Sequence, residues 1–312
     1  AAGTDGPSLE DVRSLADSSA RMGPLLWVAL AGGEPFLRGD LPELAAAFGR
    51  HGVQHLSIPT NGLVGERQHE AVERMLSLCP KTHINVAVSI DGPPEVHDKI
   101  RQVEGGHARA LRAAERFREQ AQREEKLGAG LIVTVTRENQ DVLAAHLEEL
   151  VREVRPDHLT INLARTDALD PTLLEVDIDR YREVIEEKRR LQEEGLLGRY
   201  DHPFARVAEA RDRLTYRRVE EVSRGARGTH LSCTAGALSA VVFEDGTVRA
   251  CEVLEDELGS LSDVGWDLEQ LWESDRARAL RRKVRETRCE CTWECAQADN
   301  VLFRPQSWPE LA

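Results

Sequence analysis

Cysteine is the residue type whose distribution points most directly to chemistry. Five of the six cysteines lie in the last 80 residues of the 312-residue chain, spaced Cys233-x17-Cys251-x37-Cys289-x-Cys291-x3-Cys295. Thiolates gathered from separate loops in a reducing compartment are typical of tetrahedral zinc or iron–sulfur coordination. The spacing therefore predicts metal ligation rather than free thiols, and it leaves both metals open. Cys79 stands alone in LSLCPK and is predicted to be a small buried hydrophobe.

A second group of candidate residues follows three short apolar runs. These residues are Gly32-Gly33-Glu34-Pro35, Thr60-Asn61-Gly62, and Ser89-Ile90-Asp91-Gly92 with His97, Asp98 and Arg101 behind it. Paired glycines let a backbone approach a ligand closely, and Glu34 can accept a hydrogen bond from an ammonium. Asp91 can accept from ribose hydroxyls, and Arg101 can hold a carboxylate with two donors. Each motif alone is also ordinary turn chemistry, but their succession favours a binding site. His97 and His107 are expected at the surface or in turns.

The apolar runs are predicted to be strands of a parallel sheet or barrel. Predicted strands span 25–31, 53–59, 84–90, 130–136 and 158–163, and predicted helices span 8–22, 40–50, 65–78, 107–126 and 141–154. Ser8 is the expected N-cap of the first helix, with Asp11 in its first turn. Strands that alternate with helices indicate βα units, whose functional residues follow the carboxyl ends of the strands.

The second half of the chain changes character. Residues 177–195 and 203–221 read as charged helices. Residues 237–244 and 247–251 flank Asp245-Gly246 and predict a β-hairpin, and a helix over 267–286 precedes the last three cysteines.

The charge and the apolar content exclude some classes of protein. The formal net charge of −14 argues against a general nucleic-acid or anionic-membrane binder. No apolar run approaches the length of about 20 residues that a membrane span needs, and the first residues lack the pattern of a signal peptide. We therefore expect a cytoplasmic protein with no nucleic-acid or membrane partner.

The ordered motifs of the first half resemble the radical S-adenosylmethionine (SAM) superfamily. The matching segments are AGGEPFL at 31–37, PTNGL at 59–63 and SIDGPPEVHDKIR at 89–101. The resemblance implies an α/β fold, a partial (β/α)6 TIM-like barrel whose first strand is missing. It also implies S-adenosylmethionine as cofactor, bound by Gly32, Gly33, Glu34 and Pro35 at the amino group, Ser89, Asp91 and Gly92 on the methionine and ribose side, Arg101 at the carboxylate, and Thr60 and Asn61 shaping the rim.

The cysteine-rich segment resembles the SPASM or shorter twitch extension of many radical SAM enzymes. The matching segments are residues 233–254, 259–274 and CECTWEC at 289–295. The resemblance implies a small C-terminal α+β metal-binding domain with one auxiliary 4Fe-4S cluster. Cys233, Cys251, Cys291 and Cys295 are the favoured ligands, and Cys289 is the uncertain member. The implied domains are a core at 1–165, a helical linker at 166–226 and the auxiliary domain at 227–312.

One departure from the family is large. The family holds its radical-generating 4Fe-4S cluster on a C-x3-C-x2-C loop, and no cysteine precedes Cys79 here. The favoured hypothesis is an N-terminally truncated radical SAM enzyme that generates a 5′-deoxyadenosyl radical to modify a peptide or protein. Its full-length form would carry the second cluster and use an electron donor such as flavodoxin or ferredoxin, while this chain alone would be inactive. The alternatives are a cluster-less peptide-binding scaffold with a structural metal, and a zinc protein with unrelated chemistry.

Overall fold

The computed structural model describes residues 6–165, 170–198, 205–226 and 231–311. The chain divides into two compact units, Pro24–Arg199 and the combination of Ala1–Gly23 with Tyr200–Ala312. We call them the barrel unit and the cysteine unit. The predicted linker at 166–226 is shared between them, and its residues 166–169 and 199–204 lie outside the described part of the chain.

Helix α1 (Leu9–Met22) opens the described chain, and its start was correctly predicted. The Ser8 hydroxyl accepts from the Asp11 backbone N–H at 3.1 Å, and the Asp11 carboxylate accepts from the Ser8 backbone N–H at 2.9 Å. This reciprocal capping box satisfies two backbone donors that the first helical turn leaves open. Helix α1 groups with the cysteine unit, although its sequence position had placed it with the predicted core.

The barrel unit is built on one sheet of five parallel strands. The strands are β1 (Trp27–Ala29), β2 (His55–Thr60), β3 (His83–Ser89), β4 (Leu127–Val135) and β5 (His158–Leu163). Each strand pairs with the next one along the chain, in the order β1-β2-β3-β4-β5. Helices follow the strands, as parallel pairing requires. They are α2 (Leu41–Gly49), α3 (Glu66–Leu78), α4 (Pro94–Arg101), α5 (Gly106–Ala121), α6 (Leu143–Val154) and α7 (Ile178–Glu193). The expected partial TIM-like half-barrel is confirmed.

One face of this sheet is buried in the core. Leu56, Ile58, Ile84, Leu131 and Ile161 have no solvent exposure. Their alternation with less buried neighbours along each strand is the period of two that places successive side chains on opposite faces. This packing fixes where each strand ends and therefore where the following loops begin.

The cysteine unit contains a small antiparallel sheet and short helices. Its strands are β6 (Val241–Val242), β7 (Thr247–Arg249) and β8 (Glu257–Ser260). Its helices are α1 and α8 (Ala205–Ser223), α9 (Leu268–Trp272), α10 (Asp275–Glu286), α11 (Glu294–Phe303) and α12 (Trp308–Leu311). Helix α1 is joined to the α9 region because Arg21 pairs with Asp267 at 2.7 Å and with Glu269 at 2.8 Å.

Several predicted elements have different bounds in the structure. The single helix expected over 107–126 ends at Ala121, and β4 begins at Leu127, earlier than expected. The helix expected over 267–286 is interrupted at Ser274, whose hydroxyl accepts from Ala277 N–H and starts α10 anew. The predicted hairpin is present as β6 and β7. Helices α4, α11 and α12 and strand β8 were not predicted.

Among the described residues, none of the helices combines the length and the apolar character that crossing a membrane requires.

Candidate functional site

The loops after β1, β2 and β3 form a common rim, because the carboxyl ends of adjacent parallel strands meet at one edge of the sheet. Gly32 and Gly33 follow β1 and are exposed. A Cβ at either position would meet no atom within 4 Å, and Gly32 has φ +140°. The backbone of this glycine pair therefore borders open space, where a ligand can approach it directly.

Glu34 ties the loop after β1 to the loop after β2. Its Oε1 accepts from the Thr60 hydroxyl at 2.9 Å and from Phe36 N–H at 3.2 Å, and its Oε2 accepts from Asn61 N–H at 2.8 Å. Both carboxylate oxygens of Glu34 thus accept hydrogen bonds from the loops that form the rim. Pro35 is buried in the 3-10 turn that follows. Glu34 thus links the loop of the glycine pair to Thr60 and Asn61, which had been expected to shape the rim.

Asp91 is the most enclosed residue of the rim, with 1% exposure. Its Oδ1 accepts from Thr134 N–H at 2.9 Å, and its Oδ2 accepts from Arg101 Nε at 2.6 Å. Its backbone N–H donates to His97 Nδ1 at 3.0 Å, and its carbonyl accepts from Asn139 Nδ2 at 2.8 Å. Each Asp91 carboxylate oxygen, expected to reach ribose hydroxyls, thus accepts one hydrogen bond inside the protein, and one of these bonds holds Arg101.

Arg101 and Ser89 present polar groups at this edge. The Arg101 side chain is 34% exposed, and its Nε is held by Asp91. Ser89 is half-buried at the end of β3 and pairs with Ile132 of β4. Within the described residues, neither the Ser89 hydroxyl nor the Arg101 Nη groups have a hydrogen-bond partner. Gly92, at φ +132°, turns the chain toward α4. The guanidinium end of Arg101 and the hydroxyl of Ser89 are therefore the rim groups that can bind a ligand.

The expectation that His97 and His107 lie at the surface or in turns was wrong. They are in α4 and α5, with 2% and 7% exposure. Their ring centroids are 5.6 Å apart, and the His146 ring lies 6.2 Å from that of His107. Burial lowers the pKa of His97 and of His107 below the ordinary value. His97 is neutral where it accepts from Asp91 N–H, since a protonated ring has no free acceptor.

The cysteines of the second half differ in exposure. Cys233 and Cys251 are buried, Cys289 and Cys291 are half-buried, and Cys295 is exposed. No cysteine of the described residues forms a disulfide. The Cys233 sulfur accepts from Ala235 N–H at 3.5 Å, and the Cys251 sulfur accepts from Leu254 N–H at 3.3 Å. Backbone N–H groups directed at sulfur stabilise thiolate ligands.

Four thiols of the cysteine unit interact electrostatically, namely those of Cys233, Cys251, Cys289 and Cys291. The hydrogen bond from the Cys289 thiol lowers the pKa of Cys233 to about 6, with further help from Ala235 N–H, Asn300 and Arg304. The same bond raises the pKa of Cys289, on which the charges of Cys291 and Cys251 also act. The structure thus brings Cys289 to Cys233, although sequence reasoning had ranked it last. Cys79 is separately buried in the barrel unit, as expected.

The arrangement of candidate ligands was also compared with what one metal ion requires. Within the described ranges, no three histidine, cysteine or acidic side chains are placed to hold one metal ion. Sequence reasoning also missed Gln297, Asn300 and Arg304, which bind the backbone of the cysteine segments and carry no motif that could have marked them.

A cavity of about 590 Å³ in the barrel unit contains none of the predicted site residues. Arg118 and Asp157, 2.8 Å apart, are on its wall, and the Asp157 carboxylate accepts from Ala129 N–H near the start of β4. The cavity therefore lies at the opposite edge of the sheet from the rim.

The first half of the chain is similar in sequence to a known protein family. The family model described as Radical SAM superfamily matches residues 4–150. Over those residues the chain is similar to the radical SAM superfamily domain. Enzymes of this superfamily use a 4Fe-4S cluster and S-adenosylmethionine (AdoMet).

One curated relative of this radical SAM domain is Fe-coproporphyrin III synthase of Methanosarcina barkeri (strain Fusaro / DSM 804). It is 32% identical over 149 residues, which are 48% of this chain and 34% of that protein. The chain spans about a third of the length of this relative.

Two similar solved structures are native anSMEcpe with bound AdoMet and native anSMEcpe with bound AdoMet and Kp18Cys peptide. Both have a TM-score of 0.59 at 16% identity and cover 97% of this chain. The matched regions are 88% and 89% of the two anSMEcpe chains. At this identity the likeness shows the fold alone.

Proposed function

We propose that this chain belongs to a radical SAM enzyme that binds AdoMet at the rim of the barrel unit and modifies a peptide or protein. The observation that carries the proposal is the arrangement of Gly32-Gly33, Ser89 and Arg101 at one edge of the sheet, in the radical SAM domain. When bound to a radical-generating cluster, AdoMet supplies a 5′-deoxyadenosyl radical that abstracts a hydrogen atom from the substrate.

The rim residues fit the methionine end of AdoMet. The glycine pair has backbone groups beside open space, suited to an ammonium. Arg101 has a guanidinium end with no partner among the described residues, suited to a carboxylate. Ser89 offers a hydroxyl beside it. In this proposal Glu34 orders the glycine pair, and Asp91 orders Arg101, so neither carboxylate needs to contact the cofactor.

The cysteine site fits an iron–sulfur cluster better than one ion. Four thiols act on one another, two of them accept backbone N–H bonds, and no single-ion geometry is present in the described residues. A 4Fe-4S cluster gives each thiolate its own iron, so its ligands need not approach one centre. We propose Cys233, Cys251, Cys289 and Cys291 as the ligands of this auxiliary cluster. Cys295, favoured from sequence, is the exposed member.

The proposal of a peptide or protein substrate draws on one structural neighbour. The anSMEcpe structure with Kp18Cys peptide shares the fold of this chain over 97% of its length. The curated relative is named for an iron porphyrin, but its match covers only 48% of this chain. We therefore propose a peptide substrate, with a flavodoxin or a ferredoxin as electron donor.

Isothermal titration of the 312-residue chain with AdoMet tests the cofactor proposal. We expect saturable binding that Arg101→Gln weakens about tenfold, the effect of one lost charge-assisted contact. Arg112→Gln, at an exposed arginine of α5, is the matched control and should bind like the wild type. Absence of AdoMet binding, or equal affinity in all three proteins, would contradict the proposal. Peptide capture without AdoMet binding would instead favour the scaffold hypothesis.

A further inference from the structure

The segment after the last cysteine presents a polar face to the cysteine segments. Gln297 and Asn300 lie in α11, and Arg304 caps its end. Spacings of three and four residues place side chains on one side of a helix. None of these residues is an expected metal ligand, so their common orientation needs a separate explanation.

Each of the three residues binds backbone next to a cysteine. Gln297 Nε2 donates to the Cys291 carbonyl at 2.6 Å. Asn300 Oδ1 accepts from Thr234 N–H at 2.8 Å and from the Thr234 hydroxyl at 3.0 Å. Two cysteine segments far apart in the chain are thus held by one helix.

Arg304 binds the backbone of the Cys233 segment with two donors. Its Nε donates to the Ser232 carbonyl at 2.6 Å, and its Nη2 donates to the Cys233 carbonyl at 2.9 Å. Two donors of one planar guanidinium fix adjacent carbonyls at once, a geometry that a lysine ammonium cannot reproduce. The positive charge also lies beside the backbone carbonyl of Cys233, the sulfur-bearing residue.

Apolar contacts beside these polar side chains anchor α11. Val301 packs in a buried cluster with Ala210 and Leu214 of α8 and with Leu311. Asn300 and Gln297 are themselves buried. The helix therefore has a fixed position against α8, from which its polar side chains hold the cysteine segments.

We propose that Gln297, Asn300 and Arg304 are positioning residues that preform the cysteine site, and that Arg304 governs the segment of Cys233. This inference rests on the proposed auxiliary cluster for its chemistry. Segments fixed in advance lose less conformational entropy when their thiolates bind a metal group. A cation beside a cluster favours its reduced, more negative state and therefore raises its reduction potential.

Hydrogen exchange of the metal-free chain tests the positioning role. In Arg304→Gln, amide exchange in the segment around Cys233 and Thr234 should become about tenfold faster, because two bonds from a charged donor are lost. Arg304→Lys should show an intermediate rate. Arg282→Gln, at an exposed arginine of α10, is the control and should match the wild type. Equal exchange in Arg304→Gln and the wild type would overturn the inference.

Iron uptake and reduction potential test the link to the cluster. After anaerobic reconstitution, Arg304→Gln should retain about half of the wild-type iron or less and have a lower potential, measured by redox titration followed by electron paramagnetic resonance. Arg304→Lys keeps the charge and should keep the potential, which a purely structural role would not predict. Gln297→Leu should lose iron while exchange at Thr234 stays unchanged, since it acts on the other segment.

The auxiliary cluster and the positioning role can be refuted separately. A wild-type chain that takes up no iron and sulfide would refute the auxiliary cluster, while the exchange experiment would still decide the positioning role. A wild-type chain that binds a cluster, with Arg304→Gln unchanged in exchange, iron and potential, would refute the positioning role alone. Circular dichroism of each variant verifies that the chain is folded.

Discussion

Asp91 holds Arg101 through a 2.6 Å bond between Oδ2 and Nε, with Asp91 buried and the Arg101 side chain 34% exposed. The buried carboxylate is anchored on its other side by Thr134 N–H of β4. The orientation of the rim arginine is therefore set by the sheet itself. In the proposed site, Asp91 orients Arg101 and Arg101 contacts the ligand.

Replacing Asp91 should affect both stability and cofactor binding. Asp91→Asn removes the charge that holds Arg101, and it should lower the free energy of unfolding by about 2 kcal/mol. The AdoMet dissociation constant should rise about tenfold because Arg101 loses its fixed position. Urea unfolding and calorimetric titration measure the two effects. Asp263→Asn, at an exposed aspartate, is the control. Unchanged AdoMet affinity in Asp91→Asn would show that Arg101 needs no such support.

Gly62 should tolerate no side chain. It has φ +72°, and a Cβ there would lie 2.9 Å from the Ala110 backbone and 3.0 Å from Val88 Cγ1. Strain and overpacking together should lower the free energy of unfolding of Gly62→Ala by about 2 kcal/mol. Gly39→Ala is the control, because a Cβ at Gly39 meets no atom within 4 Å. Equal stability of the two variants in urea unfolding would refute this account of the turn.

Cys289 and Cys295 should differ in their importance for metal binding. Cys289 interacts with Cys233, whereas Cys295 is exposed. Cys289→Ser should therefore reduce the iron bound after anaerobic reconstitution by about half or more, since a lost thiolate ligand weakens a cluster site. Cys295→Ser should retain wild-type iron. Iron and sulfide analysis with visible absorption spectra measures both. The reverse result would restore the ligand set favoured from sequence.

The buried histidines should make the protein less stable in acid. Burial, partly offset by Asp91 at His97 and by Asp98 at His107, places the pKa of both below the ordinary value of 6.5. Below pH 6.5 the unfolded chain therefore binds more protons than the folded chain. Their contribution to stability is present above pH 6.5 and is lost as the pH falls through the folded pKa.

A histidine variant isolates this effect. Between about pH 7 and pH 5, the free energy of unfolding of His107→Gln should fall less steeply than that of the wild type. His51→Gln, at an exposed histidine, should keep the wild-type slope. Urea unfolding over this pH range provides the comparison. Parallel slopes for all three proteins would exclude His107 as a source of the acid sensitivity.

The 312-residue chain should not cleave AdoMet by itself. The family holds its radical-generating cluster on a C-x3-C-x2-C loop, and no cysteine precedes Cys79 in this sequence. Reconstituted chain treated with dithionite and AdoMet should give no 5′-deoxyadenosine above a protein-free control by liquid chromatography. Detection of 5′-deoxyadenosine would show that another set of residues holds the cluster.

Local sequence patterns alone predicted the five strands of the barrel unit and its helices other than α4. Apolar runs of strand length and glycine-rich strand ends predicted five parallel strands and the order of the polar motifs that follow them, because these signals lie in neighbouring residues. The same patterns placed Gly32-Gly33, Ser89 and Arg101 at one edge of the sheet. The motifs also indicated the radical SAM superfamily, whose family model matches residues 4–150.

Tertiary structure decided which polar groups remain available and which thiols meet. Asp91 and Glu34 were expected to contact the cofactor, and the structure adds hydrogen bonds to their oxygens from Thr134, Arg101, Thr60 and Asn61. These partners come from other strands and loops, and no local spacing encodes them. The same holds for Cys289, which meets Cys233 across 55 intervening residues, and for Arg304, which holds the Cys233 segment from the end of α11. Hydrogen bonds and thiol contacts between distant segments depend on packing, so only the folded chain could assign them.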